Sequence, residues 1–257
     1  MSQIQVPQIF SSDRRRARSL RAASRQERDP SAARFISDEI AADMTERLQF
    51  VRAEPDRALL VGQVSGELLS HLAPATVTAL PFLDLERPYD LDSPGRGFDF
   101  IGISGELDAV NDLPGALIHA RNALAPGGLV IASFVGGGSL RHLRRAMMAA
   151  EKGRTAARMH PLVDARAAPD LLQRAGWKDP VVDTFTLKVR YGALDRLVSD
   201  LRDQALGNAL ADHAPPLGKE ALARASSAFL DQADDDGKVT ETFEIITLTG
   251  RRSLAGT

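Results

Sequence analysis

Short apolar runs that alternate with helical patterns constrain the fold of this chain more than any other feature. The predicted strands are RALLVG (57–62), ATVTALPFL (75–83), FDFIGIS (98–104) and LVIASFV (129–135). Residues 66–73 and 113–128 lie between them and have the apolar spacing of helices. Strands that alternate with helices form a parallel sheet covered by helices on both faces. The sequence therefore predicts an α/β fold.

The C-terminal part of the chain has a different pattern. Residues 181–191 and 238–252 alternate apolar and polar side chains, which is typical of strands with one buried face. Residues 193–232, between these strands, have the spacing of helices and are interrupted at Pro215 and Pro216. We therefore predict a helical insertion at 193–232, immediately before the last strand.

Residues 1–34 are predicted to form a basic N-terminal arm or helix, followed by one domain over residues 35–257. They hold eight arginines, and 11–34 has few large apolar residues. We favour a solvated helix or partly disordered arm over a surface that contacts nucleic acid, anionic lipid or an acidic partner. Nucleic acid is disfavoured because the segment has neither aromatic residues for base stacking nor a known recognition motif.

Composition excludes several classes of site. The chain has 44% hydrophobic and 26% charged residues with a net charge of −2, as ordinary globular proteins do. It has no cysteine, which excludes disulfides, thiolate zinc sites and cysteine nucleophiles. The five histidines show no metal-binding spacing, and the longest apolar run is too short for a bilayer. We expect a cytoplasmic protein with no metal site and no membrane span.

The stretch ALLVGQVSGELLSHL (58–72) has the outline of a strand–loop–helix unit that cradles a nucleotide-like cofactor. Glycines in such loops let the backbone approach the ligand closely. Here Gly62 and Gly66 are present, but Leu60 stands at the position of the expected acidic residue and Val64 at that of the middle glycine.

Several motifs carry a resemblance to a known family. LAPGGLVIASF, FDFIGIS and LLQRAGW resemble segments of class I S-adenosylmethionine (SAM) methyltransferases. VNDLPGAL, GGGSLRHLRRAMMAAE, LKVRY, DLRDQALGNAL and FEIITLTG resemble methyltransferase-fold proteins that assist the assembly of respiratory complex I. Relatives of that family include the malonyl-carrier-protein methyltransferase of biotin synthesis. The resemblance spans most of the chain.

The resemblance implies a Rossmann-like class I methyltransferase sheet, SAM as the cofactor, and a protein substrate or partner such as a complex I subunit. Arginine hydroxylation is the activity reported for the mitochondrial branch. The implied cofactor site lies at the ends of the first and fourth strands of that fold, and no catalytic residue is identified. The candidate cofactor-binding residues are Gly62, Ser65, Gly66, Asp84 and Ser104. Asp84 is the acidic candidate for the ribose hydroxyls, with an ordinary loop carboxylate as the alternative.

The chain departs from the family in its cofactor half. Family members read D-L-G-x-G-x-G where this chain reads LVGQVSG (60–66). Phe98 follows Gly66 by 32 residues, whereas a helix, a strand, a second helix and a second strand with their loops need roughly 45 or more. One strand–helix unit is therefore missing or reduced to the loop 84–97. Two functions follow: a SAM-dependent methyltransferase-like enzyme, which we favour, or a non-catalytic binding and assembly factor.

Two smaller motifs lie near the predicted carboxyl edge of the sheet. GGGSL (136–140) opens a helix, and its backbone N–H groups suit an anion, although it also reads as a flexible connection. Asp112 precedes Leu113 and Pro114, a pattern that predicts a helix N-cap more strongly than a catalytic carboxylate.

Overall fold

The computed structural model describes residues 7–89, 97–152 and 156–254. One six-stranded sheet runs through them in the order β2-β1-β3-β4-β6-β5. Its strands are β1 (Arg57–Gly62), β2 (Thr76–Leu80), β3 (Phe98–Ser104), β4 (Leu124–Val135), β5 (Lys178–Tyr191) and β6 (Val239–Arg251). Strands β1 to β4 are parallel, and β6 runs antiparallel to both β4 and β5. The predicted α/β class with a Rossmann-like sheet is confirmed.

Eight α-helices surround this sheet in the described residues. They are α1 (Ser12–Arg28), α2 (Phe35–Phe50), α3 (Gly66–His71), α4 (Leu113–Ala123), α5 (Arg141–Ala150), α6 (Ala168–Ala175), α7 (Leu194–Asp203) and α8 (Lys219–Leu230). Helices α7 and α8 lie between β5 and β6, inside the segment 193–232. Within the same ranges, no helix is long and apolar enough to cross a bilayer.

Alternation along the strands builds a core on each face of the sheet. Leu60 packs in a cluster with residues of α2, α3, α5, α7 and α8, whereas Leu59 and Val61 pack with α4 and α6. Successive side chains of a strand point to opposite faces, so a continuous apolar run is buried on both sides. Because β1, β2 and β3 are parallel, their carboxyl ends lie at the same edge of the sheet, between these two cores.

The link between β2 and β3 is short. Residues 81–89 contain neither a helix nor a strand, and residues 90–96 lie outside the described residues. The sheet therefore has β2 as its edge strand beside β1, in agreement with a missing or reduced strand–helix unit.

One boundary differs from the sequence expectation. The helix predicted over 113–128 ends at Ala123, and β4 begins at Leu124. Pro126 explains the difference because a residue before proline is restricted to extended backbone, so the helix ends before Ala125.

Helix α1 also differs from the solvated arm that its composition suggests. Arg15, Arg18, Ser19 and Ala22 are buried on one side of the helix. Ser11 caps its start by accepting a hydrogen bond from the Arg14 N–H at 3.3 Å. A basic segment can be buried where its cations meet carboxylates, and that is the arrangement at the carboxyl edge of the sheet.

Candidate functional site

The turn after β1 brings two of the predicted cofactor residues together. Gly62 has φ +97° and pairs in register with Ser104 at the end of β3. A Cβ atom at position 62 would overlap the Ser104 carbonyl oxygen, so only glycine fits there. The ends of β1 and β3 therefore lie in contact at the carboxyl edge of the sheet.

Ser65 and Gly66 begin α3. The Ser65 hydroxyl caps this six-residue helix by accepting a hydrogen bond from the Leu68 N–H at 3.3 Å. A Cβ atom at Gly66 would have open space around it. Ser65 thus has a structural partner already, and the backbone at Gly66 is accessible.

Leu60 and Val64, the two departures from the family motif, both pack into the core on the α2 side. Leu60 is 1% exposed, and its Cδ2 atom lies 2.8 Å from where a Cβ of Gly102 would stand. Val64 is half-buried against the same cluster. The side chains of Leu60 and Val64 are therefore accommodated mainly in the core.

A groove of about 530 Å³ lies beside this turn. It is bordered by the turn after β1, the end of β2, helix α1 and the segment that leads to α2. The lining residues include Ala23, Glu27, Arg34, Gly62, Gln63, Val64, Ala79, Leu80 and Pro81. The groove lies within the usual size range of small-molecule sites.

Three polar side chains of the groove have hydrogen-bonding or charge capacity left for a ligand. Gln63 is 8% exposed, and its buried Nε2 atom has no hydrogen-bond acceptor there. Arg34 donates to the Gln26 carbonyl but forms no ion pair, and the carboxylate of Glu27 is exposed. A buried amide donor is rarely left unpaired, so Gln63 suits an acceptor on a ligand. The Arg34 guanidinium suits an anionic end, and the Glu27 carboxylate suits hydroxyl groups.

Asp84 does not line this groove. Its carboxylate forms ion pairs with Arg15 at 3.5 Å and with Arg87 at 3.3 Å. The buried Arg15 guanidinium also binds Glu86. Helix α1 therefore neutralises the carboxylates that follow β2.

A second buried arginine of α1 binds the segment after β3. Arg18 forms an ion pair with Asp108 at 2.5 Å, and Asp108 also contacts His160 Nε2 at 3.2 Å. Burial opposes the charged form of Asp108, but the Arg18 charge and the hydrogen bond with His160 outweigh it and hold the Asp108 pKa below its usual range. Asp108 is therefore an ionised carboxylate at neutral pH.

Glu106 is the other buried carboxyl group of this cluster. Burial raises the pKa of Glu106 to about 7, and the Arg18 charge together with a 2.7 Å hydrogen bond from the Ser19 hydroxyl offsets only part of that increase. The carboxyl group of Glu106 therefore changes its charge near neutral pH.

This titration makes stability depend on pH. Between about pH 4.5 and 7 the folded state binds the Glu106 proton more tightly than the unfolded state, so raising the pH lowers the free energy of unfolding. Glu106→Gln removes this titrating group, so the variant should not lose stability in this way. As the pH rises from 5 to 8, the free energy of unfolding of the variant minus that of the wild type should increase by about 2–3 kcal/mol. Urea unfolding at both pH values measures this, with Glu67→Gln on the surface as a control. An equal pH dependence in the wild type and Glu106→Gln would contradict the assignment.

A second cavity, of about 290 Å³, lies under the C-terminal helices. It is lined mainly by apolar side chains of α5, α7 and the segment 158–162, and Asp108 and His160 also line it. A gap of about 10 Å³, lined by Gln63, Ser104 and Val135 among others, lies between the groove and this cavity. Gln63 also lines the groove, and Val135 also lines the cavity, so the two spaces are neighbours along the carboxyl edge.

The anion site suggested by GGGSL is wrong, because acceptors of the chain itself bind these N–H groups. Backbone carbonyl oxygens accept from the N–H groups of Gly136, Gly137, Ser139 and Leu140. Gly138 N–H donates to the Glu244 carboxylate at 2.9 Å, and Leu143 N–H donates to the fully buried Glu241 carboxylate at 2.8 Å. The N-cap prediction for Asp112 is confirmed by a 2.9 Å hydrogen bond from the Gly115 N–H.

Sequence reasoning missed Gln63 and the Asp108–His160 pair. Asp108 is not among the candidate residues of the sequence, and His160 lies in no motif. The one available signal was the position of Asp108 just beyond a predicted strand end, where α/β folds place their ligands.

Comparison with known proteins agrees with this architecture. A family model for the methyltransferase domain matches residues 32–180. The chain belongs to the methyltransferase domain family. The predicted resemblance to class I SAM-dependent methyltransferases is thereby confirmed.

Curated relatives cover most of the methyltransferase-like chain. It is 31% identical to a malonyl-[acyl-carrier protein] O-methyltransferase of Halorhodospira halophila, over 85% of this chain and 83% of that one. It is 24% identical to the mitochondrial arginine-hydroxylase NDUFAF5 of Rattus norvegicus, over 86% and 71%. A crystal structure of a protein from Bacillus halodurans, assigned as a methyltransferase, superposes with a TM-score of 0.51 at 12% identity, covering 81% of this chain and 98% of that chain. The similarity to the Bacillus halodurans protein shows only a shared fold.

Proposed function

We propose that this chain is a SAM-dependent methyltransferase-like enzyme that modifies a protein substrate in connection with the assembly of respiratory complex I. The observation that carries the proposal is the 530 Å³ groove beside Gly62, along which lie the unpaired Gln63 amide and the charged groups of Arg34 and Glu27. The family membership and the similarity to NDUFAF5 support the same proposal.

The residues of the groove fit SAM in charge and in hydrogen-bonding capacity. The Arg34 guanidinium suits the carboxylate of the amino-acid part, and Glu27 suits the ribose hydroxyls. Gln63 Nε2 can donate to an acceptor on the ligand, which would satisfy its buried amide. When bound, SAM supplies an electrophilic methyl group. Glu27, from α1, then takes the ribose-binding role for which Asp84 is the candidate in the sequence.

Filling the groove tests this proposal. Ala79 is exposed on β2 and lines the groove, whereas its neighbour Thr78 is exposed but does not line it. SAM at about 100 times its Kd stabilises a protein by about 2.7 kcal/mol, a rise of roughly 5 °C or more in Tm for a chain of this size. We expect this rise in the wild type and in Thr78→Trp, and its loss in Ala79→Trp. Equal shifts in both tryptophan variants would place SAM elsewhere.

One observation favours the second candidate, a non-catalytic binding factor. Arg15 and Arg18 already neutralise Asp84, Glu86 and Asp108, so the chain satisfies its own strand-end carboxylates. A chain of this kind would show no thermal shift with millimolar SAM in the wild type. That result would replace the enzymatic proposal by the binding function.

A further inference from the structure

The 290 Å³ cavity is apolar along most of its wall. Its lining includes Val135, Leu143, Met147, Met159, Leu162 and Leu201. Methionine side chains are flexible and polarisable, so a wall that contains two of them adapts to ligands of different shape. The cavity therefore suits an aliphatic group.

Most polar atoms around the cavity already have partners. Asp108 is bound by Arg18 and His160, and Arg158 binds the Glu151 carboxylate. The Asn208 amide donates to two backbone carbonyls at 3.1 and 3.2 Å. Arg202 is exposed, so water can solvate its guanidinium.

His160 differs from these groups because one of its ring nitrogens is available. The side chain is 7% exposed, and the Phe10 ring packs against it in a T-shaped arrangement at a centroid distance of 5.5 Å. Nε2 faces the ionised Asp108 carboxylate at 3.2 Å, and a carboxylate only accepts hydrogen bonds, so Nε2 carries the proton. In the neutral ring Nδ1 is then an acceptor, and it has no partner among the residues that the structure describes.

We propose that this cavity binds an aliphatic group that ends in a hydroxyl, whose hydrogen is accepted by His160 Nδ1. This inference names the class of group that would accept the methyl group. Its methyl-transfer step rests on the proposed function. In that step the oxygen gains the methyl group, the electrons of the broken carbon–sulfur bond stay on sulfur, and the hydroxyl proton passes to Nδ1. The products are a methyl ether, a neutral thioether and an imidazolium held by Asp108.

The binding part can be tested without SAM, using the full chain with ¹³C-labelled methionine methyl groups. Near pH 8, 1-octanol should shift the Met147 and Met159 signals saturably. Met44, a buried residue of α2, and Met148, 63% exposed, should not respond. Methyl octyl ether, which has no hydroxyl hydrogen, and octanoate, an anion near Asp108, should each bind about tenfold more weakly than 1-octanol.

Two variants separate the roles of shape and hydrogen bonding. His160→Phe keeps an aromatic ring but removes the acceptor, so the preference for 1-octanol over the ether should disappear. Val198→Trp should fill the cavity and abolish both shifts, with an unchanged Met44 signal as evidence of folding. Unresponsive Met147 and Met159 signals in the wild type, or octanoate or the ether binding as tightly as 1-octanol, would overturn the inference. Octanol binding without any SAM binding would contradict only the proposed function.

Discussion

Replacing Arg18 by methionine is expected to lower the free energy of unfolding by about 3–5 kcal/mol, because it leaves buried carboxylates without their cation. Arg18 is 5% exposed, and its partner Asp108 and its neighbour Glu106 are 2% and 3% exposed. Methionine keeps much of the volume of the arginine stem, so most of the loss comes from charge rather than from packing.

Urea unfolding of the full chain measures this loss. Arg16→Met, at an exposed position of the same helix, should change the stability by less than about 0.5 kcal/mol. The double variant Arg18→Met with Asp108→Asn should recover part of the loss, because it removes one of the unpaired charges. A loss below about 1 kcal/mol in Arg18→Met would show that α1 is not held by this ion pair.

Restoring the family's acidic residue with Leu60→Asp is expected to cost about 4 kcal/mol or more, and to create no additional cofactor contact. Leu60 is 1% exposed and packs among apolar side chains on the α2 face of the sheet. A carboxylate there loses the apolar contacts of leucine and finds no cation within that apolar cluster. Position 60 in β1 therefore suits leucine and not a carboxylate.

The matched control is Leu69→Asp, the same change at a leucine of α3 that is 37% exposed. We expect it to cost about 1 kcal/mol or less, since water solvates the new charge. Denaturant unfolding of both variants at neutral pH compares the two sites directly. A stable Leu60→Asp variant with tighter SAM binding would mean that position 60 still belongs to a cofactor site.

The sequence predicts the order of strands and helices because the spacing of apolar residues within each segment indicates which of its faces are buried. Residues 57–62 and 98–104 form β1 and β3 at the predicted positions, since each run is buried on both faces. The boundary between α4 and β4 was misplaced by several residues, because Pro126 acts on the residue before it.

The candidate site was less predictable, since its parts are distant in the sequence. Arg18 and Asp108 are 90 residues apart, and His160 is 52 residues beyond Asp108. Periodicity also cannot show that basic residues of α1 are buried, because that burial depends on carboxylates contributed by other segments. The boundaries at 34 and at 193–232 remain predictions about domain organisation.

Calorimetric titration of SAM into the full chain measures whether the groove beside Gly62 still holds this ligand without the family's acidic residue and middle glycine. We expect a saturable heat with one site per chain, and no such heat in Ala79→Trp. No measurable heat at millimolar SAM, from a wild-type chain shown to be folded, would contradict it.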